Sequence, residues 1–88
     1  MFRRSDFDEL VDYLSNKYKL FVSGSYKRDE EFISDLDFLT YNDLQKILKD
    51  IENNFHNTVI ISNGDNFIHI RLWDILDVNI WRMNKENK

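Results

Sequence analysis

Ile68, Ile70 and Leu72 form one alternating apolar set, Leu76, Val78 and Ile80 form a second, and only Trp73, Asp74 and Ile75 separate them. Side chains along a strand point alternately to its two faces, so each set reads as a strand with one buried face. Both sets reach the same face only if those three residues make the connection, because a slip of one residue turns a strand over. That register sets Arg71 opposite Asp77 and His69 opposite Asn79, on the face away from the core. Upstream, Asn63-Gly64 lies between Thr58–Ser62 and Asn66–Leu72 and is a strong hairpin signal. The second half of the chain therefore reads as three consecutive strands, the last covering Leu76–Arg82.

A sheet with one apolar face needs a cover, and the rest of the sequence supplies it. Phe7, Leu10, Val11, Leu14 and Tyr18 fall at helical spacing, which predicts a helix over residues 6–17 with Ser5 and Asp8 as a capping box. Leu44, Ile47, Leu48, Ile51 and Phe55 share one face of a second helix, for which Asn42 reads as the cap and Gln45 as its capping-box partner. Leu20–Val22 reads as a short buried strand running into Gly24-Ser25, and Leu36–Thr40 as another strand. The predicted order is αββαβββ. This is an α+β fold: one mixed sheet of about five strands, two helices on one face, the other face open. Residues 1–83 form one domain and 84–88 a polar tail expected to fray.

Composition narrows the function classes. The chain of 88 residues has no cysteine, so neither a disulfide nor a cysteine zinc site staples it. His56 and His69 have no partners at metal-ligand spacing. Stability must come from apolar residues, 42% of the chain, with aromatics at 15%. Twelve Lys and Arg against sixteen Asp and Glu give a net charge of −4, which disfavours tight binding to a long duplex through phosphate contacts alone. Basic residues still cluster at Arg3-Arg4, Lys17/Lys19, Lys27-Arg28 and Arg82/Lys85/Lys88. No apolar run has the length of a membrane span and no signal-peptide pattern opens the chain. A soluble, intracellular protein without a membrane partner is the expectation.

The open face carries the chemistry. Asp35 and Asp37 alternate with Leu36 and Phe38, and Asp77 alternates with Leu76 and Val78, so all three acids point away from the core. Carboxylates gathered without compensation repel one another. Divalent cations remove that conflict: Mg²⁺ binds one or two carboxylates together with phosphate oxygens and water. A pair of such ions about 3.5–4 Å apart can activate an attacking oxygen and stabilise a leaving pyrophosphate. Gly24-Ser25 lets the backbone approach a phosphate and offers an amide and a hydroxyl, while Arg28 adds a planar fork of donors. Trp73 and Trp81 fall on or near this face, where covering the sheet or a partner interface is the leading role and base stacking the second.

Gly24-Ser25-Tyr26-Lys27-Arg28, six residues, then Asp35-Leu36-Asp37-Phe38-Leu39-Thr40, resembles the signature of the family X DNA polymerases. Asn63–Trp73 followed by Leu76-Asp77-Val78-Asn79-Ile80 looks like the strands that deliver that family's third acid. The resemblance covers the catalytic palm, from about the first helix to Arg82. It implies nucleotidyl transfer from a nucleoside triphosphate to a DNA 3′-hydroxyl, with two Mg²⁺ ions, or Mn²⁺ in their place. Asp35 and Asp37 would each bridge both metals, Asp77 would bind the catalytic metal only, and Asp77 or a bound water would help deprotonate the attacking hydroxyl. Ser25 and Arg28, beside Gly24, would hold the β- and γ-phosphates, with Ser34 and Arg71 as supporting residues. The chain departs from the family at Asp29, just after the arginine, and at Ser34, just before the first acid, where glycine is usual. Family members also carry a DNA-binding segment before the palm and a nucleotide-selecting segment after it. Neither fits here, which leaves three expectations open: an excised domain, a minimal enzyme, or one half of a complex in which a protein partner supplies them. Two other readings share the residues: a minimal nucleotidyltransferase of toxin–antitoxin type that modifies a protein hydroxyl, and a non-catalytic scaffold, favoured by Asp29 and Ser34.

Overall fold

A computed structural model describes residues 2–83 of the chain, so the tail expected at 84–88 lies outside the described residues. The elements run β1 (Phe2–Arg3), a 3-10 turn (Arg4–Phe7), α1 (Asp8–Tyr18), β2 (Phe21–Ser23), α2 (Gly24–Lys27), β3 (Phe32–Ile33) and β4 (Asp35–Thr40). They continue with α3 (Leu44–Asn54), β5 (Val59–Asn63), β6 (Phe67–Leu72) and β7 (Leu76–Arg82). Five strands form one sheet in the order β2-β4-β7-β6-β5. The β4–β7 pair is parallel and its neighbours are antiparallel, so the sheet is mixed and the fold is α+β. Among the described residues no helix is long and apolar enough to cross a membrane.

Alternation decides which face is core. Leu36, Phe38, Ile68, Ile70, Leu72, Leu76, Val78 and Ile80 are fully buried. They pack with Val11, Leu14 and Tyr18 of α1 and with Leu44, Ile47, Leu48 and Ile51 of α3 in one apolar cluster. The predicted register of β6 and β7 is the observed one, with Arg71 opposite Asp77, His69 opposite Asn79, and a three-residue connection at Trp73–Ile75. That connection places both Trp73 (φ 54°) and Asp74 (φ 61°) in the left-handed region, and it closes with Ile75 N–H donating to the Leu72 carbonyl at 3.0 Å.

Local boundaries differ from the sequence-based expectations where short-range polar chemistry competes. Ser5 caps nothing: it lies inside the 3-10 turn, and α1 starts at Asp8 without a side-chain cap. The cap of α3 is Asp43, whose carboxylate accepts from Gln45 N–H at 2.9 Å. Asn42 instead ties β4 to α1, its N–H donating to Thr40 Oγ1 at 3.0 Å and its amide to the Tyr18 carbonyl at 3.1 Å. The Gln45 side chain reaches away from the helix, donating to Asn63 Oδ1 at 2.7 Å and to the Gly64 carbonyl at 3.3 Å.

Asn63 belongs to β5, paired with Ile68, and the hairpin turns at Gly64 with its N–H donating to the Phe67 carbonyl at 2.9 Å. A register shift between Ile60 and Ser62 bulges the edge strand. β2 is an edge strand too. Its Phe21 is 56% exposed and only Val22 packs on the core. A third helix, the single turn α2, occupies the Gly24-Ser25 segment, for which no helix was predicted. The small β1–β3 sheet was not anticipated, since two residues per strand are too few to show a period.

Phe38 is wholly buried between the sheet and its helices. Its truncation to alanine should cost about 3–5 kcal/mol. A domain this small is stable by only about 5–15 kcal/mol. Urea denaturation should therefore show a midpoint shifted far down for Phe38→Ala, and an unchanged midpoint would mean that the core lies elsewhere.

Candidate active site

Strand register sorts the open face into rows. Parallel pairing sets Asp35 beside Asp77, and Arg71 follows on β6, so one row reads Asp35, Asp77, Arg71. One step further along the strands the row reads Ser23, Asp37, Asn79, His69. The next reads Phe21, Leu39, Trp81, Phe67, an aromatic strip in which the Trp81 and Phe67 ring centroids lie 4.9 Å apart. The three predicted acids therefore share one face on two adjacent strands. Trp81 lies in the strip beside them, whereas Trp73 packs edge-to-face on Phe55, 5.8 Å between centroids, and stays 40% exposed.

Hydrogen bonds distribute the charge. Arg71 Nε donates to Asp77 Oδ1 at 2.7 Å and holds that carboxyl below the usual carboxylate range. Asn79 Nδ2 lies 3.1 Å from Asp37 Oδ1 and 3.4 Å from Asp35 Oδ2, one amide donating to two acids. Asp35 receives no cationic partner among the described residues. Burial, then the charges of Asp37 and Asp77, push its carboxyl up. His69 Nε2 lies 3.5 Å from Asp77 Oδ1 and is buried without a hydrogen-bond partner.

The turn that follows β2 comes directly against Asp37. Gly24 has φ +68°, and a Cβ there would stand 2.2 Å from Asp37 Oδ2. Only glycine allows both that backbone conformation and that approach. The helical turn behind it closes with Arg28 N–H donating to the Gly24 carbonyl at 3.2 Å and Glu30 N–H to the Ser25 carbonyl at 3.3 Å. Arg28 stands on this turn, but its Nε is paired with Glu30 Oε2 at 2.9 Å on the exposed side. Ser34, between β3 and β4, is exposed. Asp29, where the polymerase signature has glycine, keeps the glycine-like conformation at φ 62° and gives its carboxylate to Arg4 at 3.1 Å.

Among the described residues no group of three or more His, Asp or Glu side chains converges as a ready metal cage. Asp35, Asp37 and Asp77 are nevertheless a set of hard oxygen donors on one face, with the Asp35 carboxyl pushed up by burial and by the other two acids. That chemistry fits a divalent cation. Sequence reasoning did not single out Asn79 as a site residue, although the strand alternation that selects Asp77 also selects it. Arg4 gave no signal as a site residue, since its partners Tyr26 and Asp29 are remote in sequence. No protein-family model matches the chain, and no curated protein matches it.

The raised Asp35 carboxyl has a stability consequence. A carboxyl whose folded-state pKa is raised opposes folding once ionised, and the penalty disappears as pH falls through that pKa. At pH 7 in EDTA, Asp35→Asn should therefore melt a few degrees above the wild type. Below about pH 3, where the carboxyl is protonated in the folded and the unfolded chain alike, the two melting curves should converge. Equal melting temperatures at pH 7 would show that the acids do not strain the sheet. Gly24→Ala should lower the melting temperature at every pH, because its obstacle is steric.

Proposed function

We propose that the protein is a Mg²⁺-dependent nucleotidyltransferase that transfers a nucleoside monophosphate from a triphosphate to a hydroxyl, with a DNA 3′ end as acceptor. One observation carries this reading: the Gly24 turn abuts the Asp37 carboxylate, which supports a phosphate site at that turn beside the acids. Asp35, Asp37 and Asp77 would hold the ions, Mg²⁺ or Mn²⁺. When bound, they supply positive charge at the attacking oxygen and at the departing pyrophosphate.

The chain's own residues do the rest by positioning and charge. The Ser25 hydroxyl donates to the phosphate tail, and Arg28 exchanges Glu30 for a phosphate oxygen. Asp77, kept ionised by Arg71, accepts the proton of the attacking hydroxyl, directly or through a water. The hydroxyl oxygen bonds to the α-phosphorus, the bond from that phosphorus to the bridging oxygen breaks, and pyrophosphate leaves. Trp81 and Phe67 lie one row from Asp37 and Asn79, within reach of the acceptor end.

The net charge of −4 favours a second reading, in which the acceptor is a protein hydroxyl and a partner protein presents it. One assay separates the two. The protein is incubated with a gapped, labelled primer–template, Mg²⁺ or Mn²⁺, and each of the eight nucleoside triphosphates, and in parallel with α-labelled ATP alone. Primer extension by the wild type, reduced about 100-fold or more in Asp37→Ala, is the expected outcome. Label on protein in place of primer assigns the acceptor to a protein hydroxyl. Extension that persists in Asp37→Ala overturns the mechanism. A further expectation concerns Glu30: Glu30→Gln frees Arg28 and should tighten triphosphate binding severalfold by calorimetry.

A further inference from the structure

The segment that joins the cradle to the acid strand is fastened by one residue from the N-terminus. Arg4 Nε donates to the Tyr26 carbonyl at 2.8 Å, and its Nη2 lies 3.1 Å from Asp29 Oδ1. Its guanidinium carbon sits 3.9 Å from the Tyr26 ring centroid, stacked on a buried ring. The Tyr26 hydroxyl in turn donates to Asp8 Oδ1 at 2.5 Å, and Arg4 N–H donates to the Glu31 carbonyl at 2.8 Å. Beside it, Phe2 and Arg3 pair with Ile33 and Phe32. The strap thus grips residues 26, 29, 31, 32 and 33, on both sides of Arg28, while Arg28 itself is left on the surface.

We propose that Arg4 is a positioning residue for the triphosphate: by holding the Tyr26–Glu31 loop it sets where Ser25 and Arg28 present their donors. This rests on the nucleotidyltransferase reading above. An exposed ion pair with Asp29 alone would contribute little. A guanidinium offers five N–H groups in a fixed fork and a flat face, so it can bond the carbonyl, pair with the acid and stack on the ring at once. A lysine ammonium, a point charge on a flexible stem, cannot. Asp29 accordingly has its charge directed to Arg4, which removes an anion from the cradle's competition for phosphate.

Four variants test the inference: Arg4→Gln, Arg4→Lys, Asp29→Asn and, as a control on charge alone, the exposed Arg3→Gln. The expected result is a KM for the triphosphate raised about tenfold in Arg4→Gln and Arg4→Lys, with kcat within twofold of wild type. Asp29→Asn should show a smaller rise, and Arg3→Gln none. Without nucleotide, hydrogen exchange at amides 26–31 should accelerate at least tenfold in Arg4→Gln while β6 and β7 stay protected. An unchanged KM, or full rescue by Arg4→Lys, overturns the proposal. If the wild type binds no triphosphate, the functional reading fails, and the nucleotide role of Arg4 with it. The exchange arm then decides separately whether Arg4 holds the loop, and unchanged exchange overturns that too.

Discussion

The parallel pairing of β4 with β7 is the constraint on which the rest depends. The two strands are far apart in sequence, and their register sets Asp35 directly beside Asp77 and Asp37 beside Asn79. The same register places Leu36 against Val78 and Phe38 against Ile80 on the other face. Burial of those side chains supplies the driving force. The acids are thereby forced together by a core that cannot slip, because a slip of one residue would move Leu36 and Phe38 into water.

Charge crowding of this kind opposes folding unless it is compensated, and the sheet compensates it unevenly. Arg71 takes Asp77 fully, Asn79 shares one amide between Asp35 and Asp37, and Asp35 keeps a carboxyl pushed up by burial and by its neighbours. A purely structural face would have one cation per acid or fewer acids. The divalent cation of the proposed reading would relieve that imbalance. Gly24 belongs to the same design, since its missing side chain is what admits the Asp37 carboxylate.

Much of this was readable from the sequence because it depends on alternation. The two apolar sets around Trp73–Ile75 yield the β6–β7 register outright, and the placement of Asp77 opposite Arg71 follows from it. Alternation also predicts that Asp35, Asp37 and Asp77 avoid the core. What alternation cannot show is which strands are neighbours across a crossover, so Asn79 as the donor shared by two acids stayed hidden. Capping chemistry misled at Asn42 because Asp43 offers the helix a competing carboxylate and Thr40 and Tyr18 offer Asn42 other partners. Arg4 was invisible for a related reason: its partners at Tyr26 and Asp29 are brought near only by the fold, and a two-residue strand has no period to read.

On the proposed reading, a divalent ion binds the face shared by Asp35, Asp37 and Asp77. Titration of ¹⁵N-labelled protein with substoichiometric Mn²⁺, followed by amide line broadening, tests this without reference to any reaction. The expected broadening centres on residues 35–37 and 77–79 and on Gly24 and is reversed by excess Mg²⁺. Broadening that is centred on the acids of α1, or spread evenly over the surface, would contradict it.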